Sequence, residues 1–189
     1  MSAPRNLIIS TDDFVGFQNL ALSNDTIPVL QSFIDLYEKR YLVWLLSETM
    51  AGLFITDAQN NNGIPIIPRF VALFNPFDKQ DLENNLRNDD NYYDGGKGMR
   101  HSDGIKQILL NCVFYHFVFD TEQQHSQTGV TNNVVDTSTK GDAYRYAERR
   151  FNHALDSWED LKWFIMQDPV TYPEYVKTVM PKAKFSPIL

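Results

Sequence analysis

"GIKQILLNCVFYHFVFD", residues 104–120, decides the fold class of this protein. Ile105, Ile108, Leu109, Cys112, Val113, His116 and Phe117 recur at three- and four-residue steps, the spacing that gathers side chains on one face of an α-helix. The reverse side is apolar as well, with Leu110, Phe114, Tyr115 and Val118. A helix that is hydrophobic all round has to be covered on all sides. Either it forms the centre of a bundle or a second subunit covers one of its faces. Ser102 or Asp103 supplies its N-terminal cap.

Helices are expected on both sides of it. Downstream, "DAYRYAERRFNHALDSWEDLKWFIMQ" carries the stripe Tyr144, Ala147, Phe151, Leu155, Trp158, Leu161 and Ile165, with Asp142 as cap and Pro169 as stop. Upstream, Asp25, Thr26 and Pro28 open "VLQSFIDLYEKRYLVWLL", where Leu30, Phe33, Ile34, Tyr37, Tyr41, Trp44 and Leu45 keep helical spacing. Ser47 ends that helix, and "ETMAGLFITDA" continues as a shorter one.

The remainder is read as less regular. "NLIISTDDFVGF" is a short extended segment followed by a turn at Thr11-Asp12-Asp13. Residues 58–76 are loop, their two flanking prolines limiting any strand to "RFVALF". "DKQDLENNL" is a brief helix capped by Asp78, and "RNDDNYYDGGKGMRHSD" is loop again. Such a long irregular stretch in a compact domain points to function or contact. "TYPEYVKTVM" adds a short turn capped by Thr171, and "PKAKFSPIL" is an extended tail. The expectation is a mainly α protein: one domain over 1–189, a bundle of three to four main helices. A loop-rich insertion falls at about 58–102, a polar arm at about 122–142 and an extended tail at about 180–189.

The arm, "HSQTGVTNNVVDTSTKGD" (125–142), contains almost nothing that suits a core. So little apolar surface cannot offset the entropy of ordering it alone. Its β-branched residues suit strand addition to a neighbour, in a hairpin closing near Asn132-Asn133. The candidate contact residues are Thr128, Gly129, Val130, Thr131, Val134 and Val135, with Phe185 and Ile188 in the tail.

Composition narrows the function. Apolar residues make up 43% of 189, enough for a substantial core, and 13% are aromatic. A formal charge of −7 argues against a general nucleic-acid or membrane-surface binder, which needs a positive footprint. Cys112 is alone, so no intramolecular disulfide forms, and its apolar neighbours make it a buried thiol rather than a nucleophile. There is no signal-peptide core and no run of 18 apolar residues, so a soluble protein made in a cytoplasm is expected.

No motif points to catalysis. Glu122 and His125 have the spacing of a di-metal carboxylate bundle, but no second E-x-x-H exists. Cys112 and His116 share a helix face without further ligands at matching spacing, which favours a packed core histidine. "DGGKGMRHS" has its lysine before the glycine, unlike a phosphate-binding loop, and no G-x-S-x-G is present. Acidic pairs such as Asp12-Asp13, Asp89-Asp90 and Glu159-Asp160 read as solvated faces. No enzyme activity, metal or cofactor is expected.

Several segments together resemble the small helical head-to-tail connector (adaptor) proteins of tailed phages and prophages of Bacteroidetes-type hosts. They are "LIISTDDFVGF", "FIDLYEKRYLVWLL" leading into "SETMAGLF", "GIKQILLNCVFYHFVFD", "TGV" entering the arm, and "YAERRFNHALDSWEDLKWFI" followed by "YPEY". Together they span roughly two thirds of the chain, leaving about 58–100 without a counterpart. Where the family's first long helix ends in Leu-Gly, this chain has Leu46-Ser47. The resemblance implies a virion neck protein, forming a ring of itself, usually of twelve copies, beneath the portal protein. Such a ring passes the channel to a downstream tail or neck protein, and DNA slides through without specific binding; an acidic chain suits that. Two other classes stand beside it: a helical interaction module acting as regulator or chaperone, and a metal-carboxylate helical enzyme.

Overall fold

The computed structural model describes residues 8–18, 25–80, 99–128 and 140–178; the side chains of 15–18, 80, 99, 122–128 and 140–143 lie outside that description. The protein is mainly helical. In chain order, α1 spans Thr11–Gln18, α2 Thr26–Leu46, α3 Glu48–Asn60 and α4 Pro68–Phe74. Strands β1 (Phe77–Gln80) and β2 (Met99–Ser102) follow, then α5 (Gly104–Thr128) and α6 (Lys140–Gln167).

The three long helices α2, α5 and α6 build the core. As the chain advances along α5 its contacts move back along α6, from Asp103 with His153 just before the helix, through Tyr115 with Phe151, to Phe119 with Tyr144. The two helices are therefore antiparallel. On its other side α5 meets α2 through Phe33–Phe117 and Tyr37–His116. Leu109, Leu110, Cys112, Val113, Phe114, Tyr115 and Phe117 are all buried within one chain. The all-round apolar helix is thus the centre of the bundle and needs no second subunit to cover it.

Three local readings are corrected. Residues 11–18 are a helix, not a turn. Ser10 donates its backbone N–H to Asp13 Oδ2 at 2.8 Å, the reciprocal arm of a capping box, and Phe14 anchors the helix in the core. "RFVALF" is α4, a helix rather than a strand; Pro68 at its first position presets the helical φ, and Phe70 and Leu73 face inward. Asp78 does not cap a helix. It lies in β1, which pairs antiparallel with β2 in the register Phe77↔Ser102 to Gln80↔Met99, so part of the expected loop at 87–103 is also a strand. The stretch from 58 to 102 therefore contributes α4 and this ribbon to the fold.

Helix ends also move. α5 continues to Thr128 and α6 begins at Lys140, two residues before Asp142. Both ends of the expected arm at 122–142 are therefore helical, and the hairpin proposed between them lies outside the described residues. Pro169 does end α6, at Gln167. Ser47, joining α2 to α3, has φ 67° and ψ 163°, a backbone region that is nearly the preserve of glycine. Its hydroxyl donates to Glu174 O at 3.2 Å and accepts from Val176 N at 3.4 Å.

Candidate interaction surface

The sequence Gly63-Ile-Pro-Ile-Ile-Pro68 joins α3 to α4. Asp57, buried near the end of α3, turns its carboxylate into this loop. Its Oδ2 accepts the backbone N–H of both Ile66 and Ile67 at 3.0 Å. Asn61 Nδ2 donates to the Asp57 carbonyl at 2.7 Å and braces the corner. The backbone is satisfied inward, and the side chains are left pointing out. Ile64 is 59% exposed, Ile66 65% and Ile67 42%. Asp57 fixes the backbone of Ile66 and Ile67, Ile64 N–H donates to Asn61 O at 3.2 Å, and the three side chains make an exposed apolar patch of the kind that marks sites of association.

Beside the loop lies a shallow open hollow of about 570 Å³, bounded by Ile66, Val71, Pro76, Phe77, Lys79 and Phe164. The outer side of α4, the start of β1 and the last turns of α6 meet there. Phe77 and Phe164 meet at a tilt, 4.7 Å between centroids, to form an aromatic wall, with Lys79 Nζ 5.8 Å from the Phe164 ring. The segment after α6 is clamped to α4 nearby. Arg69 makes a paired contact with the Glu174 carboxylate at 2.9 and 3.2 Å and donates to Thr171 O at 2.9 Å. Tyr172, buried, donates its hydroxyl to Arg69 O. Bidentate geometry gives that clamp direction as well as attraction.

Other titratable groups lie away from the hollow, three of them on the core helices α2 and α5. Glu38 on α2 is 2% exposed, and its Oε1 accepts the N–H of Ile8 at 2.8 Å and of Ile9 at 2.7 Å. Burial pushes its carboxyl up to about 7. His116 is a core histidine, as expected. Its Nε2 lies 2.7 Å from Tyr41 Oη, Tyr37 stacks on it at 3.9 Å, and burial followed by Arg40 brings it down to about 4. Cys112 is fully buried, which drives its thiol far above the usual range.

On the surface, His101 on β2 has Nδ1 2.8 Å from Asp78 and Nε2 3.0 Å from Asp103. Asp103 also reaches His153 at 2.7 Å. An imidazole can donate to two carboxylates only as imidazolium, and the hydrogen bonds to Asp78 and Asp103 raise the His101 pKa accordingly. With Arg100–Asp160 at 3.0 Å, these contacts fasten the ribbon to α6. Among the described residues, no group of three or more His, Cys, Asp and Glu is placed to hold a metal ion. No described helix is long and apolar enough to cross a membrane.

Of the contact residues expected from sequence, Thr128 is the last residue of α5. Gly129, Val130, Thr131, Val134 and Val135 lie in 129–139, and Phe185 and Ile188 beyond 178, all outside the described residues. Glu122 and His125 fall in the helical end of α5, their side chains outside the description. The isoleucine loop was missed, although its signal is visible: an apolar run with neither period 2 nor 3.6 and a proline at each break, so no element is available to bury it. Comparison with known protein families, with curated proteins and with solved structures finds no match to this chain.

Proposed function

We propose that this chain is a structural assembly protein of a phage virion, a head–tail connector that forms a ring with its own copies below the portal and links capsid to tail. The observation that carries this reading is the isoleucine loop, an exposed apolar patch whose backbone Asp57 fixes at Ile66 and Ile67. A protein that works by being built into a larger body needs such a surface. The resemblance of the helical segments to connectors names the body. In this reading the portal and the next tail or neck protein are its partners, and DNA passes the assembled channel without specific contacts.

The test is assembly. Purified chain, alone and co-expressed with the portal protein of the same genome, is examined by mass photometry and electron microscopy. Rings or a portal-bound collar are expected, and Ile66→Asp with Ile67→Asp abolishes them while the circular dichroism melt stays within a few degrees. A chain that stays monomeric at all concentrations and ignores the portal rejects the proposal.

A further inference from the structure

β1 and β2 form a two-stranded ribbon with four residues in each strand. A ribbon that short is marginal by itself, so side chains have to hold it. Asp78 and His101 are direct partners in its register, and from them a row of four titratable groups runs across the ribbon to α6. Asp78 on β1 lies 2.8 Å from His101 Nδ1, and His101 Nε2 lies 3.0 Å from Asp103 Oδ1. The other oxygen of Asp103 lies 2.7 Å from His153 Nε2 on α6. The neighbouring charges are engaged with other groups. Arg100 on β2 pairs with Asp160 of α6 at 3.0 Å, and Asp160 also accepts the His101 backbone N–H at 3.2 Å. Lys79 on β1 turns toward the Phe164 ring, 5.8 Å away. Among the described residues, Asp78 reaches no cation but His101.

We propose that this row is a proton-operated clasp, in which His101 with both ring nitrogens protonated fastens β1 to β2 and the ribbon to α6, and loss of one of those protons lets β1 go while the bundle stays packed. A neutral imidazole keeps one N–H and turns a lone pair toward the second carboxylate, which repels it at this distance. Asp78 is the carboxylate released. It is 67% exposed, so water replaces the lost bond, whereas Asp103 is 19% exposed and is also bound to His153. His101 is itself half-exposed and exchanges protons with solvent without any prior opening. The hydrogen bonds to Asp78 and Asp103 raise its pKa, so the clasp is closed below the ordinary value of 6.5 and opens as pH rises through the raised one. β1 carries Phe77 and Lys79, two of the residues that bound the hollow beside α4, so the same proton decides whether that wall is held. The clasp does not depend on what the chain assembles into.

Amide hydrogen exchange in the full chain, corrected for the intrinsic rate at each pH, tests the clasp. Protection of the β1 amides that bond to β2 is expected to fall roughly threefold or more between pH 5.5 and pH 8.5. His101→Gln cannot become a cation and should show low β1 protection at both pH values. His101→Lys is a cation at both and should keep that protection high at both. The amides of Leu109 and Val113 in α5 report the bundle, and should respond alike in the parent and the two variants. β1 protection that is absent at pH 5.5, or independent of pH in the parent, overturns the proposal. A fall that survives His101→Gln overturns it too, because the titrating group is then another one.

Discussion

Buried Glu38 and half-buried His116 are ionisable residues on facing helices, and loss of solvent moves them in opposite directions. The Glu38 carboxyl rises from its ordinary value to about 7, so its contribution to stability is fully present below about 4.5 and is lost as pH rises through about 7. His116 falls to about 4, so its contribution is present above about 6.5 and is lost as pH drops toward 4. Each effect is on the order of 3 kcal/mol, and between pH 4.5 and 6.5 they offset each other. Glu38→Gln should therefore make the protein less stable at pH 5 than at pH 7, and His116→Gln should make it more stable at pH 5 than at pH 7. Urea titrations at the two pH values read both signs; parallel shifts in the two variants contradict the pairing. His101 adds a smaller effect in the other half of the range. Its stabilisation is present below its ordinary pKa and fades as pH rises through the raised one.

Ser47 offers a second single-residue test. Its backbone conformation costs about 1–3 kcal/mol for a non-glycine residue, while its hydroxyl makes two long hydrogen bonds to the segment after α6. Ser47→Ala keeps the strain and loses those bonds, so a destabilisation of about 1–2 kcal/mol is expected. Ser47→Gly loses the same bonds but releases the strain, and should stay within about 1 kcal/mol of the parent. The gap between the two variants measures the strain. A glycine variant no more stable than the alanine one would show that there is none.

Among the elements, the start of α5 is the most constrained. Gly104 has φ 81°, and a Cβ there would collide with the carbonyl of Phe74 at the end of α4 and stand 2.6 Å from the Asn75 carbonyl carbon. Backbone on both sides cannot yield as a side chain does. Gly104→Ala should cost about 3–5 kcal/mol, seen as a lower midpoint in chemical denaturation with an unchanged slope. The same junction is held by Ser102 and Ser157, both buried, whose hydroxyls lie 3.0 Å apart, and by Ser157 Oγ accepting Asp103 N–H at 2.9 Å. These contacts, with the ion pairs around His101, are why residues 77–80 and 99–102 are strands. α6 supplies partners that no local pattern announces. α4 shows the converse: Pro68 is a legible helix start, but a seven-residue helix is too short for periodicity to separate from a strand.

For the whole molecule, the question is what the chain joins. If the segment between α5 and α6 has an assembly role, replacing residues 129–139 by a Gly-Ser link of equal length leaves the melt within a few degrees and abolishes rings or connector incorporation. Particles that package DNA and join tails normally with that change remove the role. The melt should hold because the antiparallel packing of α5 on α6 runs through Phe114–Tyr146, Tyr115–Phe151 and Ser102–Ser157, none of which involves the replaced residues.

The amino-acid order by itself determined the three long helices, because a stripe repeated over several turns leaves only one period that buries it. It determined that Cys112 and His116 belong to a core, and that Pro169 ends α6. It could not decide what covers α5, since an apolar surface is equally satisfied by a second chain or by its own; the fold chose its own, with α2, α4 and α6. Nor did it settle that the isoleucines of the loop at 63–68 are exposed. Ile64, Ile66 and Ile67 read as apolar residues, and apolar residues are presumed inward. The buried Asp57 carboxylate, ten residues before Ile67, fixes the backbone of Ile66 and Ile67 and leaves their side chains outward, and those two hydrogen bonds exist only once α3 and the loop have met.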